Sequence, residues 1–222
     1  MRALVLGGTG AIGTAIAHQL TKEGHQVTAT GQSTFDLTDE RQIAAFFEST
    51  GATFEILVHA AGVNVPKTFE ALTDTEIRAS VDANLFGFLD VVRHCLPHWR
   101  SRSLGRVVVL SSLYGSLGRA GRLPYVISKH ALNGAVKTLA IELGCSGVLV
   151  NSVSPGYIET PLTLRNNQPS TLNRLVTGIP IGRMGTAAEV AQVVTFLCSE
   201  QNTYLTGQDI VVDGGFSVGG FQ

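Results

Sequence analysis

The stretch "ALVLGGTGAIG", residues 3–13, decides the fold. Its first half is a short run of aliphatic residues that reads as a buried strand. Its second half carries Gly7, Gly10 and Gly13, and the helical spacing of Ile12, Ile16 and Leu20 runs on to a stop at Gly24. Strand, glycine turn and helix in that order open a βαβ unit. Glycine permits the tight turn and lets the backbone approach a pyrophosphate. The helix start adds unpaired N–H groups and a partial positive charge. We therefore assign Gly7, Thr9, Gly10, Ala11, Ile12 and Gly13 to a bound dinucleotide; the bland alternative is a tight βα turn that binds nothing.

The same alternation continues outward. "QVTATG" (26–31), "EILVHAAG" (55–62), "RVVVLSS" (106–112), "VLVNSVSPG" (148–156) and "GQDIVVDGG" (207–215) read as strands. Helical periods fill 38–50, with Thr38 as N-cap, then 74–101 in two pieces, 124–144 and 187–200. Residues 157–185 have mixed polarity and no clear period. Strands separated by helices pair in parallel through right-handed crossovers. The expectation is one α/β domain over 1–222, a Rossmann-type doubly wound parallel sheet, with its ligand at the carboxyl ends of the strands.

Composition narrows the function. The chain has 222 residues, 44% of them hydrophobic, enough for a sizeable core. With 16 basic and 17 acidic residues, net charge −1, neither nucleic acid nor an anionic membrane is the expected partner. No apolar run is long enough to span a bilayer. "MRALVLGGTG" turns to glycine too early for a secretory signal. Cys95, Cys145 and Cys198 are scattered with no metal-ligand spacing, so reduced thiols, no metal and a cytoplasmic location are expected.

An acid at the end of the second strand would hold the adenosine 2′-hydroxyl of NAD. This chain reads Thr30, Gly31, Gln32, Ser33, Thr34 there. Hydroxyl and amide donors do not repel a 2′-phosphate, so NADP(H) is favoured over NAD(H), without the arginine that would settle it. Asp36 follows too late for the ribose and suits an adenine pocket.

"YVISK", Tyr125 to Lys129, places a phenol and an ammonium four apart on a helix, hence on one face. A phenol has a pKa of about 10 in water; a nearby cation in a partly desolvated cleft lowers it. Ser111 and Ser112 end the apolar strand just before this helix. Ser112 could polarise a carbonyl oxygen while Tyr125 protonates it.

Taken together, "GGTGAIG", "FDLTD", "HAAG", "NLFG", "SS" before "YVISK", "NSVSPGYIETP" and "LTGQDIVVDGG" resemble the short-chain dehydrogenase/reductases along nearly the whole chain, in the manner of 3-oxoacyl-carrier-protein reductases. The resemblance implies a catalytic tetrad of Asn84, Ser112, Tyr125 and Lys129. It makes Lys129 also a ribose contact and gives Asn84 a water in a proton relay. Further cofactor contacts it implies are Gln32, Ser33, Asp36, Leu37, His59, Ala60, Ala61, Gly62, Tyr125, Pro155, Gly156, Ile158 and Thr160. Three departures stand out. Leu6 and Ala11 stand where the family's turn has a threonine and its middle glycine, while Gly10 gives a G-x-x-G-x-x-G spacing; His59 and Ala60 replace two asparagines; and only Ser33, Thr34 and Phe35 lie between Gln32 and Asp36, which predicts a sheet shortened after the second strand.

The implied activity is NAD(P)-dependent hydride transfer between nicotinamide and a ketone or secondary alcohol, small or carrier-bound. The alternatives are an epimerase or dehydratase that retains its nicotinamide, and a non-catalytic nucleotide sensor. Residues 157–185 correspond to the family's variable substrate loop, made partly apolar by Tyr157, Leu162, Leu164 and Leu175. Tyr114 and Leu117 are placed at the cleft. Lys67, Arg119 and Arg122 are placed with them at the cleft or its rim, where they could receive a carboxylate, phosphate or carrier-bound acyl group but read first as solvated charge; Arg183 is assigned to structural contacts. The helices at 81–100 and 124–143, with two phenylalanines in "DGGFSVGGFQ", suggest self-association as a dimer or tetramer.

Overall fold

The computed structural model describes residues 1–51 and 53–219. Six parallel strands form one sheet: β1 (Arg2–Leu6), β2 (Gln26–Thr30), β3 (Ile56–His59), β4 (Gly105–Leu110), β5 (Val148–Pro155) and β6 (Asp209–Val212), in the order β2-β1-β3-β4-β5-β6. Both faces are covered, so alternate residues of each strand enter different cores. Leu4, Leu6, Leu57, Val107, Val109 and Val150 face one side; Ala3, Val5, Ile56, Val58, Val108 and Val153 face the other.

The first core is closed by α2 (Glu40–Thr50), α4 (Gly87–Arg102) and α5 (Leu123–Leu143), through Ile43, Phe47, Phe88, Trp99, Leu132 and Val136. The Trp99 indole is fully buried and donates to the Phe54 carbonyl at 2.8 Å. The second core is closed by α1 (Ala11–Lys22) and α8 (Ala187–Cys198), through Ile16, Leu20, Val190, Val194 and Leu197. Because α1 and α2 leave β1 and β2 on opposite faces, the chain reverses direction between β1 and β3. A crevice opens there at the carboxyl ends.

β2 is the sheet edge. After it come a tight turn at 32–34 and then α2, with no further strand, as the short spacing predicted. The α2 cap is Asp39, not Thr38: the Asp39 carboxylate accepts from the Arg41 and Gln42 N–H groups, while Thr38 bonds Asp36 instead. The predicted helix over 74–101 is α3 (Asp74–Val81) running into α4 through one π turn, Asp82–Phe86. Residues 157–185 are not structureless. They hold α6 (Pro161–Arg165) and α7 (Pro169–Thr177). An isolated parallel bridge between Ile158 and Gly185 ties the ends of this segment, with Glu159 N–H on the Gly185 carbonyl and Gly185 N–H on the Tyr157 carbonyl, each at 2.9 Å. Arg183 pairs with Glu189 at the start of α8.

The short α9 (Phe216–Gly219) closes the described chain. Phe216 is half-buried, edge-on to Tyr157, and so is not the exposed aromatic that the sequence suggested; Phe221 lies outside the described residues. Lys67 is not free surface charge either: it pairs with Glu76. Among the described residues no helix is long and apolar enough to cross a membrane, and none form a cluster able to hold a metal ion.

Candidate active site

The crevice contains two adjoining cavities that share Ala60, Ala61 and Gly62. The first, about 270 Å³, is lined by Gly7, Thr9 and Gly10, by Thr30, Gly31 and Gln32 after β2, and by Phe35, Asp36 and Leu37. Gly7 has φ +74°, and a Cβ on Gly13 would fall 2.1 Å from the Gly7 carbonyl oxygen, so α1 packs directly on the turn. Gly10 caps α1 without any side-chain hydrogen bond, and the first turn holds no acid. The N–H groups at the start of this 12-residue helix are left for an anion. Ala11 and Gly13 shape the turn without lining either cavity. Ser33 is exposed and also lines neither, so the structure does not place it at the cofactor. Asp36 is fixed in the first cavity, one carboxylate oxygen accepting from the Thr38 N–H at 2.9 Å and its hydroxyl at 2.8 Å.

The second cavity, about 230 Å³, brings together Ile12, Ser112, Tyr125, Lys129, Pro155, Gly156, Ile158 and Thr160. Ser112 sits just beyond β4, its Oγ accepting from the Tyr114 N–H at 3.2 Å, and lines the same cavity as the Tyr125 phenol. Burial pushes the Tyr125 phenol above its ordinary pKa; the Ser112 hydroxyl and the Arg122 charge pull the other way without prevailing. This reverses the lowering expected from the Tyr–Lys spacing. The reason is geometric: Lys129 Nζ lies 5.4 Å from the Tyr125 ring centroid and donates instead to the Leu110 carbonyl, at 2.6 Å. Burial brings the Lys129 ammonium down to about 8, so it remains mostly charged at neutral pH.

Asn84 is fully buried in the π turn, a distortion often found at functional sites. Its side chain is committed: Oδ1 accepts from the Val63 N–H at 2.7 Å, and Nδ2 donates to the Val63 carbonyl at 3.0 Å and to Ser128 Oγ at 2.9 Å. It clamps the loop after β3 to α5 beneath Lys129. Its main-chain carbonyl faces His59 Nε2 at 2.9 Å. A carbonyl only accepts, so His59 carries its proton on Nε2. His59 was assigned to the cofactor, but its side chain lines neither cavity. It is fully buried, stacked on Phe88 at 5.1 Å, with Nδ1 unpartnered. Burial and the Lys129 charge hold its pKa at about 3.

Several lining residues carried no signal in the sequence. Val63, Asn64 and Ala83 reach the cavities because the loop after β3 folds over the π turn, a contact no local pattern encodes. Thr163, Asn166 and Asn167 arrive on or beside α6, which is too short to show a period. Arg119 and Arg122, placed at the cleft or its rim and read first as solvated charge, line the second cavity. Arg122 donates to Asn64 Oδ1 at 3.1 Å and Arg119 to the Tyr157 hydroxyl at 3.4 Å.

The donor set fits a nicotinamide dinucleotide. An uncapped helix start and a glycine turn suit a pyrophosphate, and the adjoining chamber places a hydroxyl, a phenol and an ammonium together. Comparison with known proteins agrees. The family model described as Enoyl-(Acyl carrier protein) reductase matches residues 33–217. An acetoacetyl-CoA reductase of Allochromatium vinosum is 32% identical, over 96% of this chain and 97% of its own. The 3-oxoacyl-[acyl-carrier-protein] reductase MabA of Mycobacterium tuberculosis is 34% identical, over 97% and 92%. Among solved structures, a 4-hydroxyisoleucine dehydrogenase complexed with NADH superposes with a TM-score of 0.92 at 25% identity, over 98% of this chain and 99% of that one. Fold, site and relatives converge: the chain belongs to the short-chain dehydrogenase/reductase family of NAD(P)-dependent oxidoreductases.

Proposed function

We propose that the protein is an NADP(H)-preferring reductase of a ketone, running in reverse as a secondary-alcohol dehydrogenase, with Tyr125 as its general acid/base. The observation that carries this reading is the gathering of Ser112, Tyr125 and a buried Lys129 in one cavity. The relatives named as acetoacetyl-CoA and 3-oxoacyl-carrier-protein reductases point the same way.

The cofactor supplies or accepts the hydride. Ser112 gives its hydrogen bond to the carbonyl oxygen, and Tyr125 gives that oxygen a proton. A phenol raised by burial is protonated at neutral pH and so is ready as an acid; the alcohol direction gains as pH rises and the phenolate forms. Lys129 keeps a positive charge beside the phenol. Asn84, its side chain committed, acts by position and keeps one lone pair of its carbonyl for a water. The cofactor preference rests on Gln32, with no carboxylate at the end of β2 to repel a 2′-phosphate. A cytoplasmic setting is in keeping with three free cysteines, and self-association with exposed apolar residues in the π turn and on α5.

The test follows cofactor oxidation over a panel of ketones, with NADPH and NADH, in wild type, Tyr125→Phe and Gln32→Asp. The phenylalanine variant is expected to lose about 10²- to 10⁴-fold in turnover while its cofactor Kd holds. The aspartate variant is expected to shift preference toward NADH. Tyr125→Phe turning over near the wild-type rate would remove the acid/base assignment; a wild type preferring NADH would remove the NADP reading alone.

A further inference from the structure

Charge in the second cavity is lopsided. Among the described residues that line it, three side chains are cationic, Arg119, Arg122 and Lys129, and none is a carboxylate. Lys129 is accounted for by the chemistry. The two arginines are not. Neither takes part in an ion pair among the described residues, and each guanidinium touches only a neutral oxygen, Asn64 Oδ1 or the Tyr157 hydroxyl. Loss of water weighs against the charge on Arg122, and the like charge of Arg119 adds to it against the opposing pull of Tyr114. Arg119 is exposed and Arg122 partly buried, and an anion bound by both would give Arg122 the counter-ion it lacks.

The cofactor is not that anion. Its pyrophosphate belongs at the glycine turn and any 2′-phosphate at Gln32, both in the first cavity, which neither arginine lines. The arginines line the second cavity together with Tyr114, Tyr157 and Leu162. Arg122 is the N-cap of α5 and Tyr125 lies three residues on, in its first turn. Side chains three apart at a helix start are neighbours, so an anion on Arg122 belongs to the reacting molecule close to its carbonyl. A CoA or carrier phosphate does not meet this condition, because the long pantetheine arm separates it from the acyl carbonyl. The cavity is also small: about 230 Å³ has to take the reduced ring side as well as the substrate.

Building on the reductase reading above, we propose that the natural substrate is a short oxo acid with a free carboxylate, seated on Arg122 and Arg119 while its ketone oxygen meets Ser112 and Tyr125. The hydride comes from the reduced nicotinamide and the proton from Tyr125, giving the hydroxy acid and oxidised cofactor.

Acetoacetate, methyl acetoacetate and acetoacetyl-CoA carry the same ketone and test this directly; pyruvate and levulinate with their methyl esters vary the spacing. We expect kcat/KM for the best acid to exceed its ester by about tenfold or more, one hydrogen-bonded ion pair at a half-exposed site. Arg122→Gln should bring the acid-to-ester ratio toward one through KM, Arg119→Gln should do so in part, and Arg122→Lys should recover some of the loss. Thermal shift supplies a readout independent of turnover: the acid should raise Tm where its ester does not, and Arg122→Gln should abolish the rise. Equal handling of acid and ester by wild type, or acetoacetyl-CoA preferred with a ratio indifferent to both arginines, overturns the proposal while leaving the reductase reading intact. Arginine-dependent binding of an acid with no turnover of any carbonyl keeps the anion site and overturns the reductase reading instead. Absence of both acid-selective turnover and acid-selective stabilisation removes the proposal.

Discussion

At the scale of single residues, His59 shows how a buried ring turns into a pH dependence. Its Nε2–H supports the carbonyl of Asn84, and its site holds the pKa at about 3 against 6.5 in the unfolded chain. Between those values the unfolded chain binds the extra proton. Stability contributed by the neutral ring is therefore complete above pH 6.5 and falls as pH drops toward 3, by up to ~1.4 kcal/mol per pH unit. Urea unfolding at pH 7.5 and pH 5 should show this fall in wild type and a shallower one in His59→Asn, which keeps a donor but no titrating ring. Equal slopes would mean that the proton is taken up elsewhere, as at the half-buried His25, whose pKa is also lowered. The residue scale also shows where sequence reading stops. Ser112, Tyr125 and Lys129 were legible because strand end and helix spacing place them. The reversed pKa of Tyr125 was not, because it depends on how deeply the folded chain buries the phenol, with Lys129 held by the Leu110 carbonyl.

At the scale of elements, α8 covers one face of the sheet and depends on its cap. Thr186 Oγ1 accepts from the Glu189 N–H, Glu189 bonds back to the Thr186 N–H at 2.8 Å, and Arg183 holds the same carboxylate. Thr186→Ala should cost about 1 kcal/mol, read as a lower urea midpoint at unchanged slope; an unchanged midpoint would mean that core packing alone fixes the helix start. Strand and helix identities were legible wherever aliphatic runs or a 3.6 period persisted. The π turn was not, because one extra residue in a helix leaves the flanking periods intact. Nor were α6 and α7, whose short spans give no period to read. The cap of α2 fell to Asp39 because an aspartate next to a threonine offers the stronger acceptor.

At the scale of the whole molecule, the covered sheet leaves apolar surface on its helices. Phe86 in the π turn is 55% exposed, and Ile127 and Ile141 on α5 are 42% and 82% exposed. Paired copies would remove these side chains from water. Light scattering should report more than one chain's mass for wild type and a smaller species for Phe86→Glu with Ile141→Glu; an unchanged mass would exclude this face, and a monomeric wild type would exclude self-association. The doubly wound sheet was legible from the alternation of strands and helices. The basic residues at the cleft were legible by position, but not that Arg119 and Arg122 lack an ion pair while Lys67 takes Glu76, because that depends on where the loop after β3 puts Asn64 against Arg122. The bridge between Ile158 and Gly185 has a consequence of its own. By joining the two ends of residues 158–185, it makes the segment that roofs the cleft an insert on a fixed socket. Changes inside the insert leave its base in register against β5 and α8. A deletion or graft between the two bridged residues would therefore be anchored at both ends by the same pair of main-chain hydrogen bonds.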